Sequence, residues 1–338
     1  MYMLAFHCFH TVAVLKYEHV GYLKHIVDKL LFSISDKMQV KVLAELYMLR
    51  DMLDWGFSQF QQAELFYGHG TDNAWDEIVY LVLGTLKLGP ILDSKRLEVN
   101  LSAEQRIKVF QNIKKRINER IPVAYLVNEA WFAGLSFYVD SRVLIPRSPI
   151  AELIEQRFSP WIAVDSVDSV LDLGTGSGCI AIACAYAFPS AKIDAVDCSE
   201  PALAVASINV MQHKLSRQVN LIHSNGFENV KGQVYDIIIS NPPYVDAEDF
   251  AQLPPEYRHE PAVALAAGTD GLDFIVQLLG KAKQYLKKDG LLIVEVGNSK
   301  PALIQRFSRL PFVWLEFEHG DAEVFLLTQE QLVDGKEI

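Results

Sequence analysis

The chain is poor in the residues that build covalent or metal-stapled domains. Only four of its 338 residues are cysteine (Cys8, Cys179, Cys184, Cys198), and no two of them show C-x-x-C spacing. This excludes a disulfide scaffold or zinc ribbon, and the cysteines read as small buried hydrophobes in a reducing compartment. The nine histidines form no H-E-x-x-H or similar cluster, so no metal site is expected. No apolar run is long enough to span a bilayer, and the apolar start Met1–Leu15 lacks a basic leader, which argues against membrane insertion and secretion and for a cytoplasmic protein. Positive charge is also scarce: 31 Lys and Arg face 42 Asp and Glu, a formal net charge of −11. A free-standing DNA binder needs clustered cations to neutralise phosphates, and that class is excluded. Neither internal repeats nor low-complexity segments occur. Half of the residues are hydrophobic, enough for a sizeable core and two domains.

The most informative feature present is Asn241-Pro242-Pro243-Tyr244. It follows an apolar run, Tyr235 to Ser240, that reads as a buried parallel strand. Two prolines cannot continue a central strand, so a stiff turn is expected at its carboxyl end, where ligands bind in open α/β sheets. The tetrapeptide offers the Asn241 side-chain oxygen and the Pro242 carbonyl as acceptors for the two hydrogens of a planar –NH2 group. The ring of Tyr244 is expected to lie against the flat π-system. The bland reading is a strand-ending turn with a buried tyrosine.

A second feature lies upstream. The strand Val170 to Leu173 meets Gly174-Thr175-Gly176-Ser177-Gly178 and then a helix-compatible run, Cys179 to Ala187. Glycine allows positive φ and close approach of backbone to ligand, and the helix start offers free N–H groups. Asp197 closes the next strand, 23 residues beyond Gly174, the spacing at which an acid accepts from ribose hydroxyls. Alone, this pattern fits dinucleotide or S-adenosylmethionine binding. Asp172 begins the loop and either holds its backbone or reaches the cofactor ammonium.

Strands expected at 169–173, 192–196, 218–222, 235–240, 291–295, 312–317 and 324–328 alternate with helices, which implies a doubly wound α/β sheet whose last two strands form an antiparallel hairpin. Upstream, Lys41–Leu53, Trp75–Leu86 and a helix opened by the capping box Ser102-Ala-Glu-Gln105 predict a smaller helical domain. Ala130 to Ile145 alternates around Asp140-Ser141 as a β-hairpin would, and Pro149, with Ser148 as cap, opens a helix running to Phe158. The expected organisation is a leader of uncertain status (1–40), a helical substrate-recognition domain (41–125), a hairpin connector (126–150) and a catalytic domain (151–333).

With Asn-Pro-Pro-Tyr after the fourth strand, the chain resembles the class I S-adenosylmethionine-dependent methyltransferases that modify amide or exocyclic amino nitrogens. Tyr67–Asn73, Asn118–Tyr125, Phe137–Asp140, Ile145–Pro149 and Asn241–Asp249 leading to Glu256–Pro261 sharpen this. Together they resemble the N(5)-glutamine methyltransferases of the third large-subunit ribosomal protein. The resemblance spans about residues 41–333 and implies a seven-stranded Rossmann-like methyltransferase sheet with an antiparallel last strand. It further implies S-adenosylmethionine at Gly174–Gly178 and Asp197, and substrate glutamine at Asn241–Tyr244, with Asn241 also beside the cofactor. One departure is Asn225, standing where relatives have an aspartate for the adenine amino group. Its oxygen can accept there without charge. The implied partner is a large-subunit ribosomal protein, with ribosomal RNA contact through Lys114, Lys115, Arg116 and Arg120 as the sharper reading of what is otherwise a solvated basic face. Arg258 and His259 either clamp substrate or pair with Glu256 or Glu260, and His69 either shapes a loop of the helical domain or touches the protein substrate. Release-factor glutamine methyltransferases and adenine-N6 nucleic-acid methyltransferases share the tetrapeptide and remain alternatives, as does a ribosome-assembly factor whose fold matters more than its catalysis.

Overall fold

A computed structural model of the protein describes residues 44–230, 232–318 and 323–332. The expected leader 1–40 and Cys8 lie outside the described residues. Contacts divide the chain into two compact units, one holding the described residues up to Ala63 with Ile78–Lys114, the other Glu64–Glu77 with the chain from Lys115 onward.

The first unit is helical. Its helix Leu49–Gln62 buries Leu49, Met52, Leu53, Gly56 and Phe60, the three- and four-residue spacing of one apolar face. A Cβ at Gly56 would lie 2.5 Å from Ile78 Cδ1, so glycine is what lets this helix approach the helix Ala74–Leu86. The capping box is formed: the Ser102 N–H donates to Gln105 Oε1 (2.9 Å) and the Gln105 N–H to Ser102 Oγ (3.2 Å), opening the helix Ala103–Glu119. One expectation is corrected. Lys41–Leu53 is not one helix, because the backbone is extended at Met48, which bridges to Asn100 and caps a helix that starts only at Leu49.

The second unit carries a two-stranded hairpin, β1 (Ala130–Phe132) and β2 (Leu135–Phe137), and a seven-stranded sheet. The hairpin turn is Ala133-Gly134, not Asp140-Ser141. Both turn residues have positive φ (46° and 70°), as a two-residue hairpin turn requires, while the Asp140 carboxylate is taken up by the Arg142 guanidinium and the Tyr138 hydroxyl. The helix Ile150–Glu155 has Pro149, not Ser148, at its N-cap; Ser148 Oγ accepts from the Ile150 N–H (3.2 Å), and the helix stops short of the expected Phe158 because Arg157 and Phe158 both turn to positive φ.

The sheet strands are β3 (Ser169–Leu173), β4 (Lys192–Asp197), β5 (Val219–His223), β6 (Tyr235–Ser240), β7 (Leu286–Glu295), β8 (Val313–Leu315) and β9 (Val324–Thr328). Their order is β5-β4-β3-β6-β7-β9-β8, with β9 antiparallel to both neighbours. The central strands are apolar on both sides because both faces are covered. Val170, Ile237, Ile239 and Ile293 pack in one cluster with the helix Cys179–Ala187, whereas Leu171, Leu173, Ile238, Leu292 and Val294 pack in a second with the helix Asp273–Tyr285. Each such side chain contributes about 1.5–3 kcal/mol of burial.

β3 is flanked by β4 on one side and β6 on the other, so the order reverses between β3 and β6. That reversal opens a crevice at the carboxyl ends of the strands. Leu173 pairs in register with Ser240, which sets Gly174 and Asn241 side by side as the chain leaves the sheet.

Candidate active site

The two motifs meet at that crevice. Gly174, Thr175, Gly176, Ser177, Asp197, Asn225, Asn241, Pro242 and Pro243 all line one cavity of about 270 Å³. The Ser240 hydroxyl donates to the Leu173 carbonyl (2.7 Å), locking the two strand ends together. The Asn241 carbonyl lies 3.9 Å from where a Cβ would stand on Gly174. The Asn241 side chain is partly exposed and makes no hydrogen bond among the described residues, so its amide is free for a ligand.

The glycine loop owes its shape to backbone conformations that other residues resist. Gly174 has φ +78° and Gly176 φ +54°, and a Cβ on Gly176 would project into open space, so the loop is a bare backbone cradle facing the cavity. Two aspartates hold it. Asp172 Oδ2 accepts from the Thr175 hydroxyl (2.6 Å) and the Ala181 N–H (3.1 Å). Asp197 accepts from the Gly176 N–H (2.9 Å) and the Ser199 N–H (2.8 Å), while burial pushes its carboxyl above the ordinary value. Asn209, which the motifs do not reveal, donates to the Ser177 carbonyl (2.8 Å) and exchanges two bonds with the backbone of Tyr138, tying the loop to the segment after the hairpin. Ser177 Oγ is buried with no hydrogen-bond partner among the described residues, and it sits on the cavity wall.

Three expected site residues are not on this wall. Asp172 is fully buried beneath the loop, and of its two expected roles it fills the one that holds backbone. Gly178 serves packing: at φ +82° it caps the helix Cys179–Ala187, and a Cβ there would stand 3.3 Å from that of Ala206. Tyr244 is corrected most. Its ring is seated on Gly297, where a Cβ would stand 2.4 Å from Tyr244 Cε2, and its hydroxyl donates to Glu295 Oε1 (2.9 Å). A ring so anchored is a peg for the corner and is not among the residues lining the glycine-lined cavity. Cys198 also departs from expectation. It is exposed and lines the cavity, because the chain has left the sheet once past Asp197.

Two buried ion clusters lie in this unit, and the first reaches the cavity wall through Arg147. Arg147 makes paired bonds to Glu260 (2.7 and 2.9 Å), which also accepts from the Ile145 N–H (2.9 Å) and lies 3.4 Å from His69 Nε2. Burial alone would raise the Glu260 carboxyl, but His69 and the Arg147 guanidinium together pull it down to about 2. Burial pushes His69 below the ordinary histidine value. Arg116 is fully buried between Glu77 (3.1 Å) and Glu256 (3.0 Å) and donates to the Phe66 carbonyl. It therefore does not belong to a basic face, and removing one partner of such a pair costs about 3–5 kcal/mol. Arg120 turns to the Glu64 carbonyl. Glu256 and Glu260 pair with these residues and not with Arg258 or His259. Arg258 is exposed, and His259 Nε2 donates to the Glu119 carbonyl (2.8 Å).

Comparison with known proteins fits this geometry. Residues 158–253 match the family model described as methyltransferase small domain. The chain is 45% identical over 304 residues to a protein of Francisella tularensis named ribosomal protein uL3 glutamine methyltransferase, covering 90% of this chain and 97% of that one. It is 49% identical over 295 residues to a protein of the same name from Neisseria gonorrhoeae, covering 86% and 97%. The chain belongs to the ribosomal protein uL3 glutamine methyltransferase family. Among solved structures, the catalytic domain of hMettl16 in complex with a MAT2A 3′UTR hairpin superposes with a TM-score of 0.50 at 16% identity, over 75% of this chain and 91% of that one, a likeness of fold.

Proposed function

We propose that this protein transfers a methyl group from S-adenosylmethionine to the side-chain amide nitrogen of a glutamine in ribosomal protein uL3, in the cytoplasm. The observation that carries the reading is the unpartnered Asn241 amide on the same cavity as the bare glycine loop.

The fit to a nucleoside cofactor rests on the residues present. The bare backbone of the glycine loop would let the cofactor approach closely, the unpartnered Ser177 hydroxyl would hold one of its polar groups, the Asp197 carboxylate would accept from ribose hydroxyls, and the Asn225 oxygen would accept from the adenine amino group. Asn225 is exposed and its Nδ2 donates to Glu228 (3.3 Å), which leaves its oxygen toward acceptance. Asp172 and Gly178 support the cradle from beneath. When bound, the cofactor supplies an electrophilic methyl group.

The protein's task is then to make an amide nitrogen reactive. Its lone pair is delocalised into the carbonyl, so it attacks only if the group is oriented and its developing positive charge is stabilised. Asn241 Oδ1 and the Pro242 carbonyl would accept its two hydrogens, a fixed acceptor pair of the kind that stabilises charge developing during reaction. Holding the nitrogen in line with the methyl carbon at roughly 3–3.5 Å supplies the remainder. The N-methylated amide loses its extra proton readily, and no general base is assigned.

An adenine-N6 methyltransferase on nucleic acid is disfavoured. Both arginines on the cavity wall are engaged by carboxylates, Arg142 with Asp140 and Arg147 with Glu260, and so do not offer themselves to phosphates. Contact with ribosomal RNA through the helical region would have to rest on Lys114 and Lys115, since Arg116 is buried.

The test is methyl transfer from labelled S-adenosylmethionine to purified uL3, to release factor and to adenine-containing RNA and DNA. One added methyl on one uL3 glutamine is expected by mass spectrometry. Transfer to release factor or nucleic acid in its place would overturn the substrate. Full complementation of a deletion strain by Asn241→Ala would point to an assembly role.

A further inference from the structure

Glu295 has no role in the reading above, yet it is the carboxylate nearest the proline corner in the sheet. It ends β7, whose Val294 pairs in register with Ser240 of β6. It is 3% exposed. A carboxylate so buried is unfavourable unless its oxygens are hydrogen-bonded, and here each oxygen is used once. Oε1 accepts from the Tyr244 hydroxyl (2.9 Å) and Oε2 from the Ser148 hydroxyl (2.5 Å). Tyr244 closes the Asn-Pro-Pro-Tyr corner. Ser148 belongs to the turn that, with Pro146 and Arg147, walls the same cavity. One carboxylate thus joins two segments of the wall that lie almost a hundred positions apart in sequence.

Tyr244 is held elsewhere too. Its carbonyl accepts from the Ser299 hydroxyl (2.8 Å), and its ring sits on Gly297. Those contacts hold Tyr244 in place, and Glu295 bridges the corner to the turn bearing Ser148 by hydrogen bonds. Resting on the functional reading above, we propose that Glu295 is a positioning residue for methyl transfer: through Tyr244 and Ser148 it sets the distance between the proline corner and the facing cavity wall, and so the placement of the substrate amide. It touches neither substrate nor cofactor. Burial raises its carboxyl above the ordinary value, against the opposing hydrogen bonds from Ser148 and Tyr244 and the charge of Arg147.

The test uses the full chain. Glu295→Ala is expected to lower kcat for glutamine methylation by about 10–100-fold, because an ångström of misplacement is enough for that loss. S-adenosylmethionine affinity, read by calorimetry, should stay within about threefold, since the glycine loop is untouched. Glu295→Gln keeps an oxygen acceptor and gains an amide donor for the other hydroxyl, and it should recover most of the rate. Tyr244→Phe and Glu295→Ala act through one bond, so the double variant should lose little more than the worse single variant. Hydrogen–deuterium exchange in the peptide 238–247 should rise in Glu295→Ala. Wild-type kcat in Glu295→Ala, multiplying effects in the double variant, or unchanged exchange would overturn the proposal. If Glu295→Ala does not fold, Tyr244→Phe decides: unchanged kcat and exchange there overturn it equally. If the wild-type protein methylates no glutamine, the functional reading falls, while the exchange measurement still decides whether Glu295 fixes the corner.

Discussion

The glycine loop and the proline corner face one cavity from adjacent strands, and they are kept in place by opposite means. The loop is a site because side chains are missing: Gly174 and Gly176 expose backbone at positive φ, and nothing stands where a Gly176 Cβ would be. The corner is a site because side chains are crowded behind it. Tyr244 is wedged on Gly297 and bonded to Glu295, while Asn241, Pro242 and Pro243 line the cavity. A bare backbone suits a large cofactor, because it lets the ligand approach closely. A single –NH2 group needs a few acceptors that do not move.

The sharpest way to break this comparison is Asn241→Ala. Removing one fixed acceptor at the reacting group should lower methyl transfer by about 10²–10³-fold. Cofactor affinity should be nearly unchanged, because the loop is intact. Steady-state methylation alongside calorimetric titration of S-adenosylmethionine separates the two, and a parallel loss of cofactor binding would show that loop and corner do not divide the work.

The converse variant is Gly176→Val. Its side chain would enter the cavity from the cradle and meet no protein atom within 4 Å at Cβ, so the fold should suffer only the strain of positive φ, about 1–2 kcal/mol. Cofactor affinity should fall by about 10–100-fold, of the order of 1.4–2.7 kcal/mol. Unchanged affinity would exclude the cradle as the cofactor's seat.

Glycines behind the two motifs extend the contrast. Gly297→Ala would drive a methyl to 2.4 Å from the Tyr244 ring at φ +45°, and it should lower stability by about 2–4 kcal/mol and slow transfer with it. Gly178→Ala meets the Ala206 methyl at 3.3 Å and nothing nearer, and it should lower stability by about 1–2 kcal/mol while leaving kcat near wild type. Chemical denaturation and turnover of both variants check this. Equal effects of the two on kcat would mean that the corner is no more sensitive to its backing than the loop.

The same contrast explains what could be read from sequence. The loop is local: Asp172 reaches Thr175 and Ala181, three and nine positions away, and strand, glycines and helix follow one another. Its cradle is legible in the residues themselves. The corner announces itself through its prolines, but its supports lie 51 positions from Tyr244 at Glu295 and a further 147 from there at Ser148. No local spacing encodes them, and Tyr244 therefore reads as a ligand-facing ring when it is a peg. Arg116 misleads for the same reason. On its helix it continues a run of cations, yet Glu77 and Glu256, 39 and 140 positions away, draw it inside. One signal does lie in the sequence: Glu295 is a carboxylate at the end of an apolar central strand, at the edge where open α/β sheets bind ligands. The hairpin fails differently. Asp140-Ser141 has turn chemistry, but Gly134 accepts positive φ without strain and Asp140 is engaged by Arg142.

The smallest expected effect concerns the carboxylate beneath the loop. Asp172 is fully buried, and burial pushes its carboxyl up to about 7 against the bonds from Thr175 and Ala181, with the nearby charge of Asp197 adding to the rise. A carboxyl raised in the folded state binds a proton there at pH values where the unfolded chain has released it. Its contribution to stability is therefore fully present below the unfolded value of 3.8 and is lost as pH rises through about 7. Asp172→Asn keeps an oxygen for the Ala181 N–H and carries no charge. Its stability should fall less steeply over that interval, so that the variant gains on the wild type as pH rises from about 4 to about 8. Asp197 and Glu295, both raised by burial, leave a residual slope in the variant. Urea denaturation of the two proteins across a pH series measures the difference. Parallel curves would mean that Asp172 remains ionised beneath the loop, with its second oxygen hydrated or paired in solution.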